Sequence, residues 1–384
     1  MLIKNSIDEV HKRENAFKQI KKILNTQGRE NIYDLTGLSG GFLATTEDLN
    51  LLETYIGPAI FEEKLQTEGK KHLGGEKVFA VNRTSSGILA TILAIVPENG
   101  EVQHFLKEKP GHPSIPRSCK LLNAKYTEYT DINNFNINEN TNLLVITGSN
   151  MDHETIDEDT FKKLITLAHT KNIPVLVDDA SGARIRTAIY KQKKATELGA
   201  DLVVTSTDKL MKGPRGGLMA GQEDLIDKVK SKATQFGLEA QPPSILAILK
   251  GLEDYNPENL RESLNKKEEL FETLNKKYDC FKQTPTGVMV KEEDLYKTLN
   301  CKNEDLSPKD LNFLWALILL KQEGIITIPA VGMPAASATV RFDLAAPDSK
   351  NLSNKQLLEK IDSTLKSVKE VMDNSIEAKK IILE

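Results

Sequence analysis

Two stretches, IPVLVDDASG (173–182) and ADLVVTSTDKLMKGPRGG (200–217), carry most of the architectural information in this chain. Each begins as a short run of Val, Leu and Ile and breaks at once into acidic, hydroxyl-bearing or glycine residues. That is the form of a strand buried on both faces that ends in a polar loop. KVFAVN (77–82) and TNLLVITG (141–148) read the same way, and GILATILAI (87–95) and DTFKKLITLAHTK (159–171) read as helices between such strands. Strands alternating with helices predict an α/β fold around a mainly parallel sheet.

Beyond about residue 225 the pattern changes. A charged helix is expected over 258–277, a strand at 287–290, a helix over 311–322, strands at IITIPA (325–330) and ATVRFDL (338–344), and an amphipathic helix over 355–372. Few strands with helices to one side is an α+β arrangement. The reading divides the chain into an N-terminal helical segment (1–30), a large α/β domain (31–239) and a smaller α+β domain (240–384).

The whole chain has 384 residues, enough for two domains. Hydrophobic residues make up 39% and charged residues 28%, which excludes wholesale disorder. Lys plus Arg number 51 against 55 Asp plus Glu, a net charge of −4 that disfavours a phosphate backbone as partner. The three cysteines, Cys119, Cys280 and Cys301, show no CxxC spacing, so neither a disulfide framework nor a metal site is expected. Residues 1–22 mix charges through every apolar run, and the longest apolar stretches (87–97 and 313–320) fall short of the roughly 20 residues that span a bilayer. A cytoplasmic protein is expected.

In open parallel sheets, ligands collect beyond the C-terminal ends of the strands. Lys209 follows such an end and could form a Schiff base with a bound aldehyde; a solvent-facing loop lysine is the alternative. Asp178 closes another strand, where a carboxylate could pair with a protonated pyridine nitrogen or simply cap the next segment; Asp179 is read as such a cap. Thr84, Ser85 and Ser86 open a helix after KVFAVN and could cradle a phosphate on backbone N–H and hydroxyl donors, or serve as an ordinary N-cap. No P-loop or dinucleotide fingerprint competes for this turn.

VDDASG, TSTDKLMKGPRGG and TGSN (147–150) together resemble fold-type I pyridoxal-phosphate (PLP) enzymes, and more narrowly bacterial selenocysteine synthase, the L-seryl-tRNA selenium transferase. The likeness spans about 70–220. The chain as a whole is similar to an archaeal group of PLP proteins labelled selenium-transferase-like. The resemblance implies a fold-type I architecture and a homodimer or higher homo-oligomer with shared sites. It implies Lys209 as the Schiff-base lysine, Asp178 as partner of the pyridine nitrogen, and Ser85, Ser86 and Ser206 as phosphate ligands. Asn150 would neighbour the cofactor's phenolic oxygen, and His112 is the candidate to stack on the ring, with a solvent-facing loop His as the alternative. Arg341 would grip a substrate carboxylate, or else is a surface Arg on an edge strand. Lys70, Lys71 and His72 resemble a basic stretch of the same family, or form a solvated charge run. Only about 30 residues precede the first motif-like segment, LTGLSGG (35–41), whereas selenocysteine synthase carries an N-terminal helical region for tRNA. With the acidic balance, this makes tRNA an unexpected partner.

The expected activity is a PLP-dependent transferase or lyase acting on a small amino acid or amine, with β-elimination or β-replacement as the first reading. A tRNA-dependent selenium transferase and a PLP carrier or regulator without turnover stay open. Cysteine desulfuration would need a nucleophilic thiol, for which Cys119 is the nearest candidate, although a buried inert Cys is the plainer reading.

Overall fold

The computed structural model describes residues 1–40 and 45–384; Gly41, at the end of LTGLSGG, lies outside the described residues. The chain forms two compact units, Leu38–Glu258 and Met1–Gly37 with Asn259–Glu384.

The larger unit is built on seven strands: β1 (Lys77–Val81), β2 (Glu101–Phe105), β3 (Lys125–Tyr129), β4 (Thr141–Thr147), β5 (Val175–Asp178), β6 (Leu202–Ser206) and β7 (Gly217–Gly221). They lie in the order β1-β7-β6-β5-β4-β2-β3. β7 runs antiparallel to both neighbours, and every other pairing is parallel. Alternate residues of each central strand enter different cores. Leu144, Ile146, Val175, Val177 and Val203 pack on one side, and Leu143, Val145, Leu176, Leu202 and Val204 on the other. A sheet buried on both faces explains why these strands read as unbroken apolar runs.

Helices α1 (Ile56–Leu73), α2 (Glu158–His169) and α3 (Pro242–Asp254) supply residues to the first core. Helices Thr84–Ile95, Ser114–Leu121 and Glu223–Gln235 supply the second. The helix expected over 87–95 begins at Thr84, which brings Ser85 and Ser86 into its first turn.

Three strands escape a reading by apolar runs. β2, EVQHF, is buried along its whole length, but Gln103 and His104 are polar and are accommodated by hydrogen bonds, such as that from Asn138 N to Gln103 Oε1 at 2.9 Å. β3 is a half-buried edge strand. β7 carries glycine at both ends because neighbouring backbone leaves no room for a side chain. A Cβ on Gly217 would stand 2.7 Å from the Arg83 carbonyl carbon and 2.8 Å from Thr84 N.

In the smaller unit, Gly287–Val290 lies between Val340–Asp343 and Lys282–Gln283 in an antiparallel sheet. The core against it centres on the helix Pro308–Glu323, with Trp315, Phe313, Phe281 and Phe342. The expected helix over 258–277 is two, Glu258–Arg261 and Ser263–Asn275. Among the described residues IITIPA pairs only through Ile325–Ile326, parallel to Tyr33–Asp34, and Ile328–Val331 is a short helix. Pro329 accounts for this, since it lacks the N–H that a ladder needs yet fits the first turn of a helix. The helix Ser375–Leu383 was not foreseen.

The helix Ser6–Gln27 belongs to this unit as well. Asn15 Nδ2 donates to the carbonyl oxygens of Ile381 (3.0 Å) and Ile382 (3.1 Å), and the Lys12 ammonium meets the Pro329 carbonyl. The structural division therefore differs from the expected one: residues 31–37 go with the C-terminal part and 240–258 with the sheet. The reason is that α3 completes one face of the sheet, whereas Leu35 enters the smaller core. Among the described residues, no helix is long and apolar enough to cross a membrane.

Because backbone cannot yield cheaply, Gly217→Ala is expected to destabilise the protein by about 1–3 kcal/mol in urea titrations. Gly40→Ala, where a Cβ meets nothing within 4 Å among the described residues, should stay within about 0.5 kcal/mol of wild type.

Candidate active site

β5 and β6 end side by side, and backbone bonds continue the alignment past their last residues. Gly148 N donates to Asp178 O (2.9 Å), Asp179 N to Val204 O (2.9 Å) and Ser206 N to Ala180 O (3.1 Å). Asp178 is thereby held at 4% exposure at the C-terminal edge of the sheet. Its carboxylate accepts a hydrogen bond from Ala180 N–H, while Oδ1 has no hydrogen-bond partner among the described residues. Burial pushes this carboxyl up to about 6; the Lys209 ammonium acts against the rise and the Asp179 charge adds to it.

Asp179 is not the cap expected of it. It forms a fully buried ion pair with Arg186, Nη2 to Oδ2 at 2.5 Å and Nε to Oδ1 at 3.2 Å, and the guanidinium lies 4.5 Å from the Phe161 ring centroid. Two adjacent buried carboxylates thus have different fates: Arg186 neutralises one, and the other keeps an unmet oxygen.

The loop after β6 is tightly tied. Thr207 N donates to Gly216 O (3.1 Å) and Thr207 Oγ1 to Pro214 O (2.8 Å). Ser206 Oγ donates to Asp208 Oδ1, and Arg215 Nε stands 3.6 Å from Asp208 Oδ2. The single hydroxyl hydrogen of Ser206 therefore goes to Asp208 in this ligand-free structure. Leu38 pairs with Lys209 in an isolated bridge, and Ser39 N donates to Asp208 O at 2.5 Å, which ties down the backbone leading into the lysine. Lys209 itself is half-buried.

Arg184, which the sequence reading passed over, binds these strand ends together. It is fully buried, and Nη2 donates to Ala180 O (2.9 Å), Thr205 Oγ1 (3.1 Å) and the Ser206 carbonyl. Nη1 donates to His72 Nε2 at 3.0 Å. His72 packs edge-on against Tyr255, with centroids 5.1 Å apart, and burial together with the Arg184 and Lys194 cations pushes its imidazole down to about 3. Of the basic run 70–72, Lys70 and Lys71 are exposed and His72 is half-buried. The polarity of His72 and Arg184 suited a surface reading, and nothing local in the sequence marks them as mutual partners.

The turn from β1 into Thr84–Ile95 is capped by Arg83 in extended conformation, with no side-chain hydrogen bond to the first turn. That leaves an uncapped helix N-terminus flanked by the half-buried Thr84, Ser85 and Ser86, an arrangement that can receive an anion.

His112 sits on the segment leading to the helix Ser114–Leu121. Ser114 N donates to His112 Nδ1 (3.3 Å), so Nδ1 is the acceptor and the neutral ring carries its hydrogen on Nε2. Burial, with the Lys209, Arg83 and Arg117 cations, pushes the imidazole down to about 4. The Lys209 charge thus acts on both Asp178 and His112, drawing three sequence-distant candidates into one electrostatic neighbourhood.

Asn150 does not join them by any bond among the described residues. Its Oδ1 accepts from Asp152 N (3.0 Å) and Glu154 N (2.9 Å), and Nδ2 donates to Glu154 Oε2 (2.7 Å), so the side chain closes its own loop. Arg341 lies in the smaller unit and is buried, contrary to a surface reading; Nη2 donates to Thr36 O (3.3 Å) and Nε stands 3.9 Å from Asp343 Oδ2. Cys119 is 1% exposed and burial pushes its thiol up to about 11, which fits an inert core residue. Among the described residues no group of three His, Cys, Asp or Glu side chains could hold a metal.

The raised Asp178 pKa has a defined consequence for stability. A carboxyl that titrates near 6 when folded, against 3.8 ordinarily, favours the fold fully below pH 4 and loses that contribution as pH rises through 6. The loss is about 3 kcal/mol at 1.36 kcal/mol per pH unit. Asp178→Asn should therefore be more stable than wild type at pH 7.5 and similar at pH 4, in urea titrations of the ligand-free protein at both pH values.

The description "UPF0425 C-terminal domain" matches residues 276–353, and "L-seryl-tRNA selenium transferase" matches residues 115–285. The chain is 49% identical over 372 residues to a UPF0425 pyridoxal phosphate-dependent protein of Methanosphaera stadtmanae, covering 96% of this chain and 97% of that protein. It is 47% identical over 382 residues to the protein of the same description from Methanothermobacter thermautotrophicus, with full coverage of both. The solved SepCysS–SepCysE N-terminal domain complex shares the fold with a TM-score of 0.59 at 16% identity, over 91% of this chain and 98% of that one. With close identity along almost its whole length, this chain belongs to the UPF0425 family of pyridoxal phosphate-dependent proteins.

Proposed function

We propose that the chain is a PLP-dependent transferase or lyase that acts on a small amino acid or amine, with Lys209 as the attachment point of the cofactor. The observation that carries this reading is the buried Asp178 carboxylate with one oxygen unmet, sharing the field of Lys209 with a neutral His112. A cationic ring nitrogen would satisfy that oxygen and remove the energetic penalty of burying the charge. Asp178 would hold the pyridine nitrogen, the N-terminus at Thr84, Ser85 and Ser86 the phosphate, and His112 the face of the ring. When bound, PLP supplies an electron sink for negative charge at the substrate α-carbon.

The remaining work falls to the chain. The ion pair of Asp179 with Arg186 keeps Asp178 as the carboxylate left for the ligand. Arg184 fixes the spacing between the ends of β5 and β6, and so between Asp178 and the Lys209 loop. Lys209 would hold the cofactor, and its Nζ would be the group placed to take the substrate α-proton as general base. Loss or exchange of a β-substituent is the net reaction we favour.

Reduction of the PLP-loaded protein with borohydride, followed by peptide mapping, is expected to place the label on Lys209 and to find none in Lys209→Ala. Label at another lysine, or no label in wild type, overturns the reading. The selenium-transferase match over 115–285 favours a second reading, a tRNA-dependent transferase. Retention of tRNA at low salt, with no turnover of free amino acids, would select it. Labelling of Lys209 without turnover or tRNA binding would select a carrier.

A further inference from the structure

A line of buried polar groups runs from the sheet to the turn that carries His112. Thr147, at the end of β4, is the register partner of Asp178. Its Oγ1 lies 2.7 Å from His104 Nε2; His104 Nδ1 lies 2.7 Å from Tyr126 Oη; Tyr126 Oη donates to Glu128 Oε1 at 2.6 Å. The same Glu128 oxygen accepts from Gly111 N at 2.9 Å. The chain of contacts therefore crosses β4, β2 and β3 and ends on the residue before His112.

Proton counting fixes its direction. The Tyr126 hydroxyl has one hydrogen, and Glu128 takes it, so toward His104 the oxygen can only accept. His104 must then carry its hydrogen on Nδ1, which leaves Nε2 to accept from the Thr147 hydroxyl. The ring is fully buried. A neutral imidazole satisfies every bond in the line, whereas a doubly protonated one would face the Thr147 hydroxyl donor to donor unless that hydroxyl turned away. Burial pushes the His104 pKa down to about 4, and burial with the Glu128 hydrogen bond pushes the Tyr126 hydroxyl up, so both groups stay neutral near pH 7. Gly111 is packed into the same network: a Cβ there would stand 2.5 Å from His104 Cε1 and 3.0 Å from Glu128 Oε1.

We propose that His104, Tyr126 and Glu128 are positioning residues that hold the Gly111–His112 turn at the C-terminal edge of the sheet, with His104 fixed as the neutral Nδ1–H tautomer. This rests on the reading of His112 as a cofactor-facing residue. A Thr-His-Tyr-Glu line that merely filled space would need no connection to the turn, and apolar side chains would fill the space without fixing a direction.

The test uses NMR of the protein labelled with ¹⁵N-histidine, with and without PLP. Wild type is expected to show His104 as the Nδ1–H tautomer from pH 5 to 8. Tyr126→Phe, which keeps the ring but removes the acceptor, should change the His104 tautomer or its exchange and shift the His112 resonance. Unchanged His72 and His169 signals would show that the fold persists. PLP affinity should fall about tenfold in Tyr126→Phe and Glu128→Ala, the scale of one buried charge-assisted hydrogen bond, and recover to within about twofold in Glu128→Gln, which keeps an acceptor oxygen. An Nε2–H tautomer in wild type, or a His112 resonance indifferent to Tyr126→Phe and Glu128→Ala, overturns the proposal. These histidine signals are read without cofactor, so failure of wild type to bind PLP would count against the functional reading and leave the network to be judged on its own.

Discussion

Two carboxylates stand next to each other at the buried edge of the sheet, and the chain neutralises only one. Asp179 and Arg186 form a dry ion pair. Breaking such a pair leaves an uncompensated charge worth several kcal/mol, so the pair is a strong local constraint on the chain. Asp178, one residue earlier, has no such partner among the described residues, and its burial is an energetic debt within the fold. Such a debt is retained at sites where something else supplies the compensation, and its place at the C-terminal end of a strand suits a ligand.

The surrounding elements serve that edge. Arg184 ties Ala180, Thr205 and Ser206 together, so the end of the strand bearing Asp178 is bonded to the end of the strand leading to Lys209. The antiparallel β7 returns through the sheet beside β6, and Gly217 lets its backbone press against the start of the helix that carries Ser85 and Ser86. From the other side, Glu128 holds the turn of His112. The four parts lie far apart in sequence and share one edge because each follows a strand of the same sheet.

Legibility followed the physics of each residue. Apolar strands buried on two faces announce themselves, and the polar residues directly after them could be read as candidates; this covers Asp178, Lys209 and the Thr84–Ser86 turn. β2 was hidden because Gln103 and His104 satisfy their polarity inside the protein, and composition cannot distinguish a satisfied buried polar group from an exposed one. Arg184 was missed for the same reason, and His72 was read only as part of a basic run, since each is the other's partner across a long sequence separation. Asn150 and Ser206 were visible as residue types but not as bonds. A hydroxyl or amide near a strand end can face a ligand or close its own loop, and here they bond to Glu154 and Asp208.

The sequence by itself determined the α/β class, the strands that end in polar loops and the family kinship, because these depend on local periodicity and on short motifs that survive without knowledge of contacts. Tertiary structure alone decided which of two neighbouring aspartates is neutralised, where Arg341 and the N-terminal helix belong, and how His104 is protonated. Those outcomes depend on partners brought together by folding, and the energy of a buried charge or hydrogen bond is set by its neighbours in space.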